Sequence, residues 1–466
     1  MNKRALSLDA LRGFSIVMMI LSGTIAYGIL PGWMYHAQVP PPLHKFDPGL
    51  YGITWVDLVF PFFLFSMGAA FPFSLGNKLA KGISVLKLSG DSLLRGIKLT
   101  FFAIFIQHMY PWVIASPQDY KSWLTSLFAF ILMFAMFMPL PWKLSVWLKK
   151  LIEVTAYIIG ITLLLTISYA DNRSFSLEYS NIIIIVLANM AIFGSLAYLF
   201  TFKNHLARIA ILPFVMAVFL GGSTENSWIK EVMDFSPVPW MYKFYYLKYL
   251  FIVIAGSVAG DYLHEWLKTW EDKPQSPVEK KRLPFILLLS VAVIILNLYG
   301  LYMRYLIVNL AGTIAILGLL YYLLKAEGNN FKYWRKLFIA GAYLLMLGLF
   351  FEAYEGGIRK DHSTYSYYFV TSGLAFMALI AFSILSDILR WKKLTRPFEL
   401  AGQNPMIAYV APQLVVMPVL NLIGIAKYLD VLNQNVWSGF LRGVIVTALS
   451  ILIAIGFTRI KWFWRT

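Results

Sequence analysis

The chain offers six histidines and no cysteine for reactive chemistry. Thiolate nucleophiles, thiolate metal sites and disulfides are therefore excluded. Two of the histidines, His36 and His44, fall in one stretch, PGWMYHAQVPPPLHKFDPGLYGITW (Pro31 to Trp55), with five prolines and Asp47. Imidazole titrates near neutral pH, so either histidine suits general-base or nucleophilic work. Pro40, Pro41 and Pro42 predict an extended backbone at low entropic cost, a good way to aim a histidine at a cavity. The same composition also fits two solvated loop histidines. Asp57 follows in TWVDLVFPFFLFSMG, at the head of an apolar run. A carboxylate there either stabilises a helix amino terminus or orients a histidine. The sequence has no P-loop, no dinucleotide fingerprint and no His/Asp/Glu spacing typical of a metal site.

A bilayer-embedded scaffold must position these residues. Of 466 residues, 59% are apolar and 14% charged, against about half and about a quarter in an average soluble domain. Soluble enzymes and disordered chains are excluded. Fourteen apolar runs recur between Phe14 and Phe457. A spanning helix needs about 20 such residues, and several runs are shorter. The pattern therefore predicts an all-α, polytopic membrane helix bundle with 11 to 14 spans.

The net charge of +17 would suggest nucleic acid in a soluble protein. With a cytoplasmic amino terminus and every run crossing, 29 of the 40 lysines and arginines fall on the cytoplasmic side. The positive-inside rule requires that bias. The expectation is a multi-pass protein of the inner (cytoplasmic) membrane, surrounded by lipid bilayer and without a nucleic-acid partner. His264 to Arg282 (HEWLKTWEDKPQSPVEKKR) reads as a cytoplasmic linker, 264–282. It divides one transmembrane domain, 1–466, into an early half, 1–263, and a late half, 283–466. No internal repeat relates the halves, which weighs against a secondary transporter.

LSLDALRGFSI (Leu6 to Ile16) and PPPLHKFDPGLYGITWVDLVFPFFLFSMG (Pro40 to Gly68) resemble the family of heparan-α-glucosaminide N-acetyltransferase and its bacterial relatives. Asp9, Arg12 and Gly13 match the family's D-x-x-R-G opening. Gly52, Thr54, Asp57, Leu58, Phe60, Pro61, Phe62 and Phe63 match its second block. In PFELAGQNPMIAYV, Gly402, Asn404 and Tyr409 are similar to a later segment, and STYSYYFVTSGLA (Ser363 to Ala375) to another. Ser22-Gly23-Thr24 stand where the family usually has an asparagine.

The resemblance implies a membrane-embedded acyltransferase. It would take an acetyl or other acyl group from cytosolic acyl-CoA, with acetyl-CoA as co-substrate, to an amino sugar or sugar hydroxyl across the membrane. No metal is implied. A histidine after the first span is implied as catalytic, and His44, which follows Pro-Pro-Leu, is favoured over His36. Asp57 would fix its tautomer, and Asn404 would stabilise the oxyanion or make a polar contact between packed helices. Arg12, with Asp9 nearby, is the candidate phosphate partner for CoA. His36, Glu355 and Tyr409 are the candidate acceptor-binding residues. Gly68, Ala69 and Ala70 on the second span would leave room for the slim pantetheine arm, or simply pack helices closely.

Other polar outliers have plainer readings. His108 reads as an interfacial histidine. Glu352 and Glu355, with Arg359, Lys360, Asp361 and His362, form either a sugar-binding cluster or a salt-bridged loop. Arg304 and Lys248 read as snorkelling side chains, and Trp112, Trp142, Trp240, Trp462 and Trp464 as an aromatic belt. A homodimer is a candidate assembly. The rival function is transport of a sugar or organic anion without acyl-transfer chemistry.

Overall fold

Every apolar run folds as helix. The structure is a computed structural model describing residues 4–140, 144–270 and 277–465, and the described residues form helices, turns and loops without a strand. Twelve helices among them are long and apolar enough to cross a membrane, within the expected range. They are α1 (Leu6–Thr24), α2 (Trp55–Ala80), α4 (Tyr120–Phe137), α6 (Ile182–Phe200), α7 (His205–Gly222), α8 (Phe244–Thr269), α9 (Pro277–Tyr302), α10 (Leu306–Leu324), α11 (Asn329–Tyr354), α12 (Tyr365–Ile388), α14 (Pro405–Leu422) and α15 (Val436–Arg459). Hydrocarbon offers no partner to backbone N–H and C=O groups, and a helix satisfies its own.

Two further long helices, α3 (Val85–His108) and α5 (Val146–Thr166), carry the remaining runs. Their leading turns are charged, by Lys87, Asp91, Arg95 and Lys98 in one and Lys149, Lys150 and Glu153 in the other. The shorter α13 (Lys392–Gln403) is polar along one side and lies against α1.

Two glycine-lined crossings set the interior. Where α1 meets α13, a Cβ at Gly13 would sit 1.8 Å from the Phe398 carbonyl oxygen. Where α2 meets α8, a Cβ at Gly256 would sit 2.1 Å from the Phe65 oxygen, and one at Gly68 2.0 Å from that of Val253. Small residues let helix backbones approach this closely. The crossing corrects part of the tunnel expectation. Gly68 packs against Val253, and Ala69 is fully buried beneath Gly260, so neither borders open space. Ala70 does line a cavity.

The expected linker is largely helical, because α8 runs to Thr269 and α9 starts at Pro277. Residues 271–276 of it lie outside the described residues, as does Trp142. Trp464 is no belt residue: it is 5% exposed and packs among Phe102, Phe130, Phe134 and Phe137. Helices from both halves pack on one another, α1 of the early half against α13 and α15 of the late one.

Candidate functional site

The loop between α1 and α2 folds back over the amino terminus of α2, where Thr54 and Asp57 form a capping box. Asp57 is fully buried. Its Oδ2 accepts the N–H groups of Thr54 (2.9 Å) and Ala37 (3.3 Å), leaving Oδ1 to face His36 Nδ1 at 2.7 Å. Asp57 thus combines the two roles its position suggested, capping the helix and orienting a histidine. That histidine is His36. Holding Nδ1–H on a carboxylate leaves Nε2 with its lone pair, the arrangement of a general base. The His36 side chain is 37% exposed, so the ring reaches from the buried carboxylate towards open space.

His44 takes a different place, which corrects the expected Asp57–His44 pair. The three prolines form a turn rather than an extended strut, closed by His44 N–H donating to the Pro40 carbonyl at 3.0 Å. Proline suits turn positions as well as extended ones. The turn places His44 in the left-handed region, φ 47°. Its ring stacks on Tyr27 at 3.7 Å and meets Tyr35 edge-on at 4.5 Å. Its Nε2 is buried without a hydrogen-bond partner among the described residues.

A second loop, between α11 and α12, closes over the first. Gly52 N–H donates to the Ile358 carbonyl (2.8 Å), and Arg359 donates to that of Pro48 (3.0 Å). This docking brings Lys360 to the dyad. Its Nζ lies 3.0 Å from His36 Nδ1, 3.3 Å from Nε2 and 3.9 Å from Asp57 Oδ1.

His36, His44 and Lys360 line one cavity of about 460 Å³, with Ser22, Gly23, Tyr27, Tyr110 and Tyr409. Burial and the neighbouring Tyr409 push the Tyr110 phenol well above its ordinary value, so it stays a neutral hydroxyl. A second cavity of about 550 Å³ opens towards the other end of the bundle. Its lining carries Arg12, Lys78, Arg95 and Arg465 and, among the described residues, no carboxylate. Arg95 Nε is buried there without a hydrogen-bond partner among the described residues. Met19, Phe60, Ile183 and Tyr409 line both cavities, so the two abut across a waist of four side chains.

The other expected site residues divide between cavity walls and structural roles. Arg12 lines the basic cavity and donates to the Ser66 carbonyl, and Asp9 pairs with Arg4 at 2.5 Å and with Arg12 at 4.0 Å. Tyr409 stands at the waist and donates to Asn181. Asn404 lies away from the His36 cavity. It donates to the Trp462 carbonyl (2.7 Å) and accepts the Trp464 N–H, tying down the non-helical segment after α15 rather than joining two helices. Glu355 accepts the N–H groups of Tyr365 and Ser366, capping α12 rather than facing the cavity. Glu352 pairs with Arg304, whose side chain stays 34% exposed. Lys248 turns inward, to the Ser363 carbonyl (3.1 Å) and the Phe219 ring. His108 is buried, with its Nδ1 2.8 Å from the Ile104 carbonyl.

Sequence reasoning did not place Lys78, Arg95 or Arg465 at a cavity, and it assigned Lys360 only to a loop cluster. Arg95 was the most legible, as a cation on a helix that turns apolar from Leu99, four residues later.

No curated protein matches the chain. A family model described as a domain of unknown function, DUF5009, matches residues 4–263. The match takes in α1 to α8 nearly complete, including Arg12, both loop histidines and Asp57, and stops before Lys360 and Tyr409. It covers more than half of the sequence, and the chain belongs to the DUF5009 family.

Proposed function

We propose that this protein is a membrane-embedded acyltransferase that moves an acetyl or other acyl group from acyl-CoA to an amino sugar or sugar hydroxyl on the opposite side of the membrane. The observation that carries this reading is the pair of abutting cavities with unlike linings. One offers four cations to a polyanion and the other a His–Asp dyad. Acyl-CoA cannot cross a bilayer, so its phosphates stay at the basic end, and the pantetheine arm carries the thioester to the waist. The bias of lysine and arginine supports a cytoplasmic placement of that end and of the amino terminus, in an inner membrane.

The dyad supplies the chemistry. His36 Nε2 takes the proton of the acceptor amine or hydroxyl as its lone pair attacks the thioester carbonyl. The new bond forms, the C–S bond breaks, and the CoA thiolate leaves with the proton that His36 held. Asp57 keeps the ring in the reactive tautomer throughout. The Tyr27–His44 stack offers a flat face to a sugar ring.

The test is turnover. Purified protein in lipid, given acetyl-CoA and a panel of amino sugars, releases free CoA only when a suitable acceptor is present. A transporter of sugars or organic anions would bind or move its solute and release none.

A further inference from the structure

A charged group in the His36 cavity has no part in the base chemistry above. Lys360 is the one lysine or arginine lining that cavity among the described residues. Its side chain is 16% exposed, and its ammonium stands within reach of both ring nitrogens of His36. The loop carrying it is fixed before the lysine, Ile358 by Gly52 and Arg359 by Pro48 and the Tyr51 ring, and after it by Ser363 N–H donating to the Tyr245 hydroxyl at 3.2 Å. The cation is therefore held in place before any substrate arrives. The residue first expected to stabilise an oxyanion, Asn404, is committed to the chain near Trp462, and the Tyr409 hydroxyl is committed to Asn181.

We infer that Lys360 is the oxyanion-stabilising residue of this site. The inference rests on the acyl-transfer reading. Attack on the thioester moves the carbonyl π pair onto oxygen, and that charge develops within a bond length or two of the atom His36 activates. A preorganised ammonium that is itself largely buried stabilises such charge more than it stabilises the neutral thioester. The pair then returns to the carbonyl as the C–S bond breaks, so Lys360 neither gains nor loses a proton. Without substrate, the same ammonium donates to Nε2 and balances the Asp57 carboxylate.

The experiment compares the wild type with Lys360→Met, Lys360→Arg and Lys360→Ala, reading kcat, KM for acetyl-CoA, CoA affinity by calorimetry and the thermal midpoint. Lys360→Met should lose about a hundredfold in kcat or more, with KM and CoA affinity within about threefold and the midpoint unchanged. Lys360→Arg should keep part of the rate, and millimolar ethylamine should restore part of it to Lys360→Ala. A raised KM at unchanged kcat would make Lys360 a binding residue and overturn the inference. A lowered midpoint with no rescue by ethylamine would make it structural and overturn it as well. Absence of CoA release by the wild type with every acceptor would instead sink the acyl-transfer reading, and this inference with it.

Discussion

The chemistry of the His36 cavity turns on which histidine the buried carboxylate holds. Two backbone N–H groups fix Asp57 Oδ2, so Oδ1 can reach only the ring on the Ala37 side, which is His36. His36→Ala should lower acetyl transfer by about 10²–10⁴-fold, measured as CoA release at saturating substrate. Asp57→Asn should lose about as much through the wrong tautomer. Wild-type rates in either variant would remove the dyad from the mechanism. His44→Asn keeps a residue type that tolerates the left-handed backbone but removes the stack on Tyr27. Ring stacking is worth about 0.5–1.5 kcal/mol, so the KM for the sugar should rise about three- to tenfold with kcat little changed. A collapse of kcat in that variant would restore His44 to the catalytic role. Asp57 was legible in the sequence because a carboxylate heading an apolar run has few physical roles, and it fills two of them. Its partner was not legible. The choice between His36 and His44 depends on a proline turn and on N–H groups contributed from 17 residues apart, which spacing alone does not reveal.

The elements place those residues through close helix crossings. α2 carries Asp57 at its amino end and Ala70 on the basic cavity, and its tilt is set where it rests on α8. Gly256→Ala would drive a methyl group into the Phe65 carbonyl at 2.1 Å. Overpacking of this kind costs about 1–3 kcal/mol. The thermal midpoint in detergent should therefore fall by several degrees, and CoA release should weaken as α2 shifts. An unchanged midpoint would mean that the crossing relaxes at no cost. Uncharged apolar runs announced both helices, because hydrocarbon accepts little else. It could not say which face of α2 packs and which lines a cavity. Ala69 and Ala70 are chemically identical neighbours, yet one is sealed under Gly260 and the other borders the basic cavity.

At the scale of the whole molecule, the early and late halves both contribute side chains to the waist between the two cavities. α1, α2 and α6 contribute Met19, Phe60 and Ile183 to the waist, and α14 contributes Tyr409. The family match covers the first three of these and ends before the fourth. Under the proposed acyl transfer, donor and acceptor would meet where the thioester reaches the waist from one cavity and the sugar from the other. Ile183→Trp fills that gap with a larger side chain while leaving Arg12, Lys78, Arg95 and Arg465 untouched. CoA should bind the variant within about twofold of the wild type by calorimetry, because its phosphate partners remain. Acetyl transfer should fall by about a hundredfold, since misplacing reacting groups by roughly 1 Å can cost that much. The comparison separates the two ends of the path in one protein. Loss of CoA binding along with turnover would place the whole co-substrate at the waist. Full turnover with the gap filled would show that the acyl group travels by another route.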